Sequence, residues 1–319
     1  MNLLRTCAFL LILACSGAWA QGYPSKPVKI IVPFPPGGAT DIVTRIVAQK
    51  LTEVWGQSVI VENHGGAGGN IGGEVAAKSA PDGYTLFMTS GSIVTANQYI
   101  YKKMAFDPAK DLVPITNVAS GPQVIVVNPT FPAKTLKQFI DTARAKPGVL
   151  NYGHAGIGSQ THLAAENFLS AANLIITSVP YKGEAPAMTD LVANQINMAA
   201  ANIAGAIGFI NQGKLRALAV TGKQRSPQLP DVPTVAETLP GFENTGWFGL
   251  MAPAGTPKEI IDNVYRDTAK FLDTPELRAR FYVQGMVPVG NPPAEFAEAI
   301  REESARWARV VHERHIVVN

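Results

Sequence analysis

Outside its first twenty residues this 319-residue chain has no cysteine, since Cys7 and Cys15 both fall within residues 1–20. Disulfides, thiol nucleophiles and cysteine-ligated metals are thereby excluded from the remainder, whose stability has to come from packing. Charge is also sparse, at 16% of residues, and no basic block occurs. Taking Arg5 from the 27 basic residues leaves 26 against 24 acidic ones, a balance that argues against nucleic acid or a strongly anionic membrane as partner. No apolar run after Ala20 approaches the ~20 residues needed to span a bilayer. Three motifs are missing as well. Gly66-Ala67-Gly68 meets Ile71 where a dinucleotide loop needs its third glycine, and neither G-x-x-x-x-G-K-[ST] nor G-x-S-x-G occurs, which counts against nucleotide hydrolysis and ordinary esterase chemistry.

What is present begins with a leader. Arg5, the apolar run Ala8–Ala14 and then Ala18-Trp19-Ala20 follow the charged, apolar and small-residue order of a secretory signal, with cleavage expected after Ala20. A lipoprotein reading competes through Cys15, but Leu13 stands where a small residue is preferred, and ordinary cleavage is favoured. The expected product is an exported, periplasmic, soluble monomer. With 46% apolar residues it can bury a large core, expected as two lobes.

Short β-branched runs alternate with helical patterns along the chain: Val28–Val32, Ile42–Val54, Ser58–Val61, Ile71–Lys78 and Tyr84–Met88. This is an α/β rhythm. In the first helix Ile42, Val43, Ile46, Val47, Leu51 and Val54 make one stripe, and Thr40 or Asp41 is expected to cap its start. A second series runs through strand Gln123–Val127, helix Leu136–Ala145, strand Val149–Tyr152, helix Thr161–Ala171 and strand Ile175–Val179. It ends at Leu215–Val220. Periodicity does not separate strand from helix in Ile196–Ile210. The strand-like Gly246–Met251 and terminal helices Pro257–Leu272 and Pro293–Glu313 complete the reading. The expected division is a leader at 1–20, lobe 1 at 21–122, lobe 2 at 123–247 and a return to lobe 1 at 248–319. Two crossing segments, near residues 123 and 248, would leave a cleft between the lobes.

Each series contains one glycine turn leading into a helix, Pro35–Asp41 in the first and Gly153–Ser159 in the second. Glycine lets the backbone approach a ligand, and the unpaired amides of a helix amino end favour an anion without any lysine or arginine. The alternative is that Pro35-Pro36-Gly37-Gly38 is a plain strand-to-helix turn. Ser90 and Ser92, after the strand Tyr84–Met88, could add hydroxyls to a cleft or act as a cap. Tyr181-Lys182-Gly183-Glu184 follows its strand in the same way, with Lys182 the one cation near the inferred mouth.

Eight segments carry a resemblance over nearly the whole chain after the leader: "YPSKPVKIIVPFPPGGATD", "VIVEN", "GAGGNIGGEVAAKSAPDGYTL", "LNYGHAGIGSQTHLAAE", "VPYKGEAPAMTDL", "GKLRALAVT", "LPDVPTVAE" and "GLMAPAGTP". The chain resembles the periplasmic solute-binding proteins of tripartite tricarboxylate transporters, the Bordetella uptake gene family. That resemblance implies a type II periplasmic-binding-protein fold closing around a small organic carboxylate, a di- or tricarboxylate or an aromatic acid, for a tripartite-type membrane permease. It implies no cofactor and no catalytic step. On the first lobe the implied ligand contacts are Phe34, Pro36, Gly37, Gly38, Ala39, Thr40, Ser90 and Ser92. On the second they are Ala155, Gly156, Gly158, Ser159, Gln160, His162, Gly183 and Asn202, and Asp41 is assigned to loop structure. The chain departs from relatives at Glu62-Asn63-His64-Gly65-Gly66, at Asn97-Gln98, and at Ala201, where relatives often carry Asp. The absence of an acid there implies a ligand without an amino group.

Two other readings use the histidines. Ser159 with His154 or His162 could form the nucleophile and base of a secreted hydrolase. A lone serine and histidine at a ligand turn more often bind than react. His312 and His315, three residues apart, lack an evident third metal ligand and are read as a solvated helix end.

Overall fold

A β-branched run makes the first strand, and its rhythm persists. The computed structural model describes residues 22–314, so the expected leader, its cleavage site and His315 lie outside the described residues. Strand β1 (Val28–Val32) feeds α1 (Ala39–Trp55), in which Val43, Val47 and Leu51 recur every four residues and are fully buried. Gly56, at φ 62°, ends α1, and its N–H donates to the Thr52 carbonyl at 3.0 Å. Two details differ from expectation. Val54 is 50% exposed, so the stripe stops at Leu51. The N-cap is Gly38, with no capping side chain, because Thr40 and Asp41 already lie inside the first turn.

The elements that follow are β2 (Val59–Asn63), α2 (Asn70–Ala77), β3 (Thr85–Ser90) and three short helices, α3 (Gly91–Thr95), α4 (Asn97–Ile100) and α5 (Pro108–Asp111). Next come β4 (Leu112–Val127), α6 (Leu136–Ala145), β5 (Asn151–His154), α7 (Gln160–Ala172), β6 (Thr177–Pro180) and α8 (Glu184–Val192). The stretch that periodicity left open divides into β7 (Met198–Asn202) and α9 (Ile203–Asn211). The chain closes with β8 (Arg216–Val220), β9 (Thr245–Pro253), α10 (Lys258–Leu272), α11 (Pro275–Tyr282), β10 (Val287–Pro288) and α12 (Pro293–Arg314).

The strands order as β2-β1-β3-β9-β4-β7-β5-β6, with β8 and β10 also pairing β4. In the first half-sheet β1 pairs β2 and β3 in parallel, and in the second β5 pairs β6 and β7 in parallel. Strand β4 belongs to both. Leu112–Pro122 pairs with β9, whereas Gln123–Val127 pairs with β7 and β8. Separate cores back the halves: Val43, Leu86, Leu250 and Val264 in the first, and Tyr152, Phe139, Phe168 and Leu218 in the second. A third group, with Val124, Met188 and Leu191, fills the other face of the second sheet. Helix α12 reaches across, since its Val311 and Trp307 pack with Ile100 of the first half and Leu163 of the second. Parallel strands backed by helices on two half-sheets make this an α/β architecture.

Candidate functional site

The first glycine turn is held by Asp41. Its carboxylate accepts the Gly37 N–H at 3.0 Å, two bonds from Arg45 at 2.9 Å and one from the Asn63 amide at 2.9 Å. Burial works against its charge, but the bonds from Arg45, Gly37 and Asn63 prevail and hold its pKa below the usual carboxylate range. Gly37 needs its glycine for a φ of 90°, but Pro36 and Gly37 are exposed.

Two histidines hold the second turn. His154 Nδ1 accepts the Gly156 N–H at 3.2 Å while its Nε2 meets Ser178 Oγ at 2.8 Å, and His162 Nδ1 accepts the Gly158 N–H at 3.2 Å. The rings lie 4.4 Å apart. Burial lowers the pKa of His154 to about 4, and burial with the neighbouring His154 lowers His162 to about 3. Both rings are therefore neutral, with the turn amides on their acceptor nitrogens. Ser159 is the N-cap of α7, accepting the His162 N–H at 3.2 Å and meeting Thr161 Oγ1 at 3.2 Å. The only described bond between these histidines and Ser159 comes from the His162 backbone, the described imidazole bonds of His154 and His162 go elsewhere, and such weakly basic rings are poor bases, so the geometry gives the hydrolase reading no support.

The turns of the two halves meet backbone to backbone. A Cβ on Gly68 would lie 2.1 Å from the Ile157 carbonyl oxygen, and one on Gly156 would lie 3.0 Å from the Gly68 nitrogen. Tyr101 Oη donates to the Ile157 carbonyl at 2.7 Å across the same seam. Pro35 sits between Gly65 and Gly183, whose added Cβ atoms would come within 2.7 and 2.5 Å of its ring. The glycine-rich stretch after residue 64 thus allows close approach of the halves.

Residues of both halves line a small, partly open cavity with about 20 Å³ of free space, room for about one water. Of the expected contacts, Phe34, Gly38, Ala39, Thr40, Ser90, Ala155, Ser159, Gln160 and Asn202 line it. The others do not. Gly156, Gly158 and His162 are engaged in holding the turn, Gly183 packs on Pro35, and Ser92 lines a neighbouring cavity beside Trp247. Lys182 is exposed outside it.

Thr161, Glu184 and Phe248 also line the cavity and were not assigned from sequence. Glu184 corrects the expectation that no acid lies near Asn202. It is the first residue of α8, and its carboxylate is buried where α1, α8 and α9 begin. Oε2 accepts the Ala39 N–H at 3.1 Å and Oε1 the Asn202 N–H at 2.6 Å, while Asn202 Nδ2 lies 3.3 Å from both oxygens. Burial raises the pKa of Glu184, against the pull of the bonds from Ala39 and Asn202. At position 201 itself the side chain is the methyl group of Ala201, fully buried opposite Val124. The available signal was Glu184 itself, an acid at the start of a helix whose amino end favours negative charge.

Apart from Phe248 of β9, these groups come from helix amino ends and the carboxyl ends of β1, β3, β5 and β7, where open α/β sheets place ligands. Neither lysine nor arginine lines the cavity. Among the described residues no group of three or more His, Cys, Asp or Glu could hold a metal, and no helix is long and apolar enough to cross a membrane.

Comparison with known proteins agrees with this geometry. The family described as the tripartite tricarboxylate transporter family receptor matches residues 43–316. The Bordetella pertussis protein BugT is 38% identical over 320 residues, covering 98% of each chain. A solved structure described as a periplasmic transporter superposes with a TM-score of 0.90 at 40% identity, covering 93% of this chain and all of that one. The structure of R. palustris Rpa4515 with adipate superposes with a TM-score of 0.89 at 35% identity, covering 91% of this chain and 97% of that one.

Proposed function

The chain belongs to the tripartite tricarboxylate transporter family of receptors, and from that premise we propose that it captures a small organic carboxylate between its halves and presents it to a membrane permease. The observation that carries this reading is the convergence of helix amino ends on one cavity that no lysine or arginine lines. Backbone amides and hydroxyls then have to stabilise an anion. The Thr40 and Thr161 amides lie at second helical positions and so have no partner within their own helices, and the buried Ser90 hydroxyl has no protein partner. These groups are assigned to the ligand carboxylates. A neighbour of the same fold with adipate bound supports a dicarboxylate. The described residues of 21–122 and 248–319 form one lobe in this reading and 123–247 the other, with ligand release by opening near residues 123 and 248. The leader directs export and is then removed, and no catalytic step takes place.

Calorimetry with a panel of di- and tricarboxylates and aromatic acids, followed by recovery of the ligand, tests this. Saturable binding with quantitative return of unchanged acid is expected. Turnover of any panel member, or failure of every carboxylate to bind folded protein, would overturn it.

A further inference from the structure

Tyr101, the residue that ends α4 in the first half, reaches the second glycine turn with its side chain. Its Oη donates to the Ile157 carbonyl at 2.7 Å. Glycine leaves the room for it on both sides of the seam: a Cβ on Gly68 would lie 2.9 Å from that Oη, and one on Gly158 would lie 3.2 Å from the tyrosine ring. Burial raises the pKa of Tyr101 to about 12, so the hydroxyl keeps its proton and remains a donor.

An apolar contact accompanies this bond. Leu163 of the second half is buried with Ile100 and Val311, and Tyr101, Ile157 and Trp307 pack against them. Helix α12, which carries Trp307 and Val311, is fixed to the first half. Its Glu303 accepts the Trp247 Nε1–H at 2.6 Å, and its Ser304 Oγ accepts a bond from Gln98 Nε2 at 2.7 Å. Tyr101 and the end of α12 therefore belong to one body, whereas Ile157 stands between the two amides held by His154 and His162 in the other. None of Tyr101, Ile157, Leu163, Trp307 and Val311 lines the cavity assigned to the ligand. Separating the halves would break the tyrosine bond and expose Leu163 to water, at a cost that is the same whichever acid is bound.

We infer that Tyr101 and the end of α12 form a latch that retains the ligand without touching it, by gripping the second glycine turn at Ile157 and Leu163. Tyr101 is a positioning residue in this arrangement. It sets how long an acid stays bound and leaves the choice of acid to the cavity. The inference rests on the carboxylate-receptor reading above, in which the ligand leaves by opening of the halves.

The test is the rate of ligand release, measured by stopped flow on wild type, Tyr101→Phe and Trp307→Ala, with affinities from calorimetry. The probes are succinate and adipate, two acids of different length, or the two tightest panel acids where these do not bind. Tyr101→Phe removes the hydroxyl and keeps the ring, and it should speed release of both acids by one common factor of about three- to tenfold, the scale of a net hydrogen bond. Trp307→Ala should speed both likewise, and neither variant should change the ratio of the two affinities. Release at the wild-type rate from either folded variant would overturn the inference, even if its urea midpoint fell, because the side chain would then serve only the fold. So would a factor that differs severalfold between the two acids, which would place the side chain on the ligand. Both results leave the carboxylate reading standing, whereas failure of every panel acid to bind folded wild type would remove that reading and the latch together.

Discussion

Acidification should destabilise this protein through His154 and His162 before its carboxylates titrate. The two rings have pKa values lowered to about 4 and about 3 from 6.5, chiefly by burial. Between those values and 6.5 the unfolded chain binds protons that the folded chain refuses, so stability is full above about pH 6.5 and falls as the pH drops. Near pH 4.5 each histidine is about 99% protonated when unfolded and largely neutral when folded, which corresponds to roughly 2–3 kcal/mol per ring, or about 5 kcal/mol for the pair. That is a large share of the ~5–15 kcal/mol typical of a folded domain. Protonation also replaces the Nδ1 acceptors of the Gly156 and Gly158 amides, so the loss falls on the second turn. Glu184 acts in the opposite sense: a carboxyl with a raised pKa takes up its proton earlier in the fold, which favours the fold as pH falls. The measurement therefore has to be a difference. Urea unfolding, followed by tryptophan fluorescence near pH 7 and near pH 4.5, should give the double variant His154→Gln/His162→Gln a pH-dependent loss smaller than that of wild type by about 3–5 kcal/mol. Parallel losses in the two proteins would show that the rings titrate normally, and the argument from burial would fail.

The seam offers a second test. Gly68→Ala places a Cβ 2.1 Å from the Ile157 carbonyl at a φ of 61°, so it should weaken ligand binding at least about tenfold, whereas Gly38→Ala meets only Glu184, at 3.5 Å, and should cost less. Equal affinities in calorimetry would contradict the close approach. Exposed Lys182 stands outside the cavity, so Lys182→Ala should leave affinity within about twofold. A loss at Lys182 exceeding that at Gly68 would mean a cationic site. Small-angle scattering should record a smaller radius of gyration on adding ligand, as expected for halves joined at β4 and β9, and an unchanged radius at proven saturation would count against hinge closure.

The α/β rhythm was legible because it is local. Val43, Val47 and Leu51 declare a helix face within nine residues, and β1 is a β-branched run. Strand β4 was visible only from Gln123 onwards. Its first part contains Pro114 and the polar pair Thr116-Asn117, and the ladder absorbs them through register shifts against β9 that no period announces. The four short helices α3, α4, α5 and α11 were missed for a related reason, since four to eight residues hold few turns in which to display a stripe, although α2, of eight residues, was legible.

The site was harder to read, because glycine turns signal exposed amides only when nothing else in the chain accepts them. Four of the donors on which the anion argument rested are already engaged: Gly37 by Asp41, Ala39 by Glu184, Gly156 by His154 and Gly158 by His162. Three of these acceptors lie within four residues of their donors, so a local reading could have found them. The fourth could not have been found in that way, because Glu184 is 145 residues from Ala39 and meets it only after the halves come together. The positions lining a cleft follow from the fold, since strands and helices end where the sheet order requires. Its polarity follows from which side chains return to those ends, and here one distant acid orients Asn202, then Gln160, and so decides what the cavity offers a ligand.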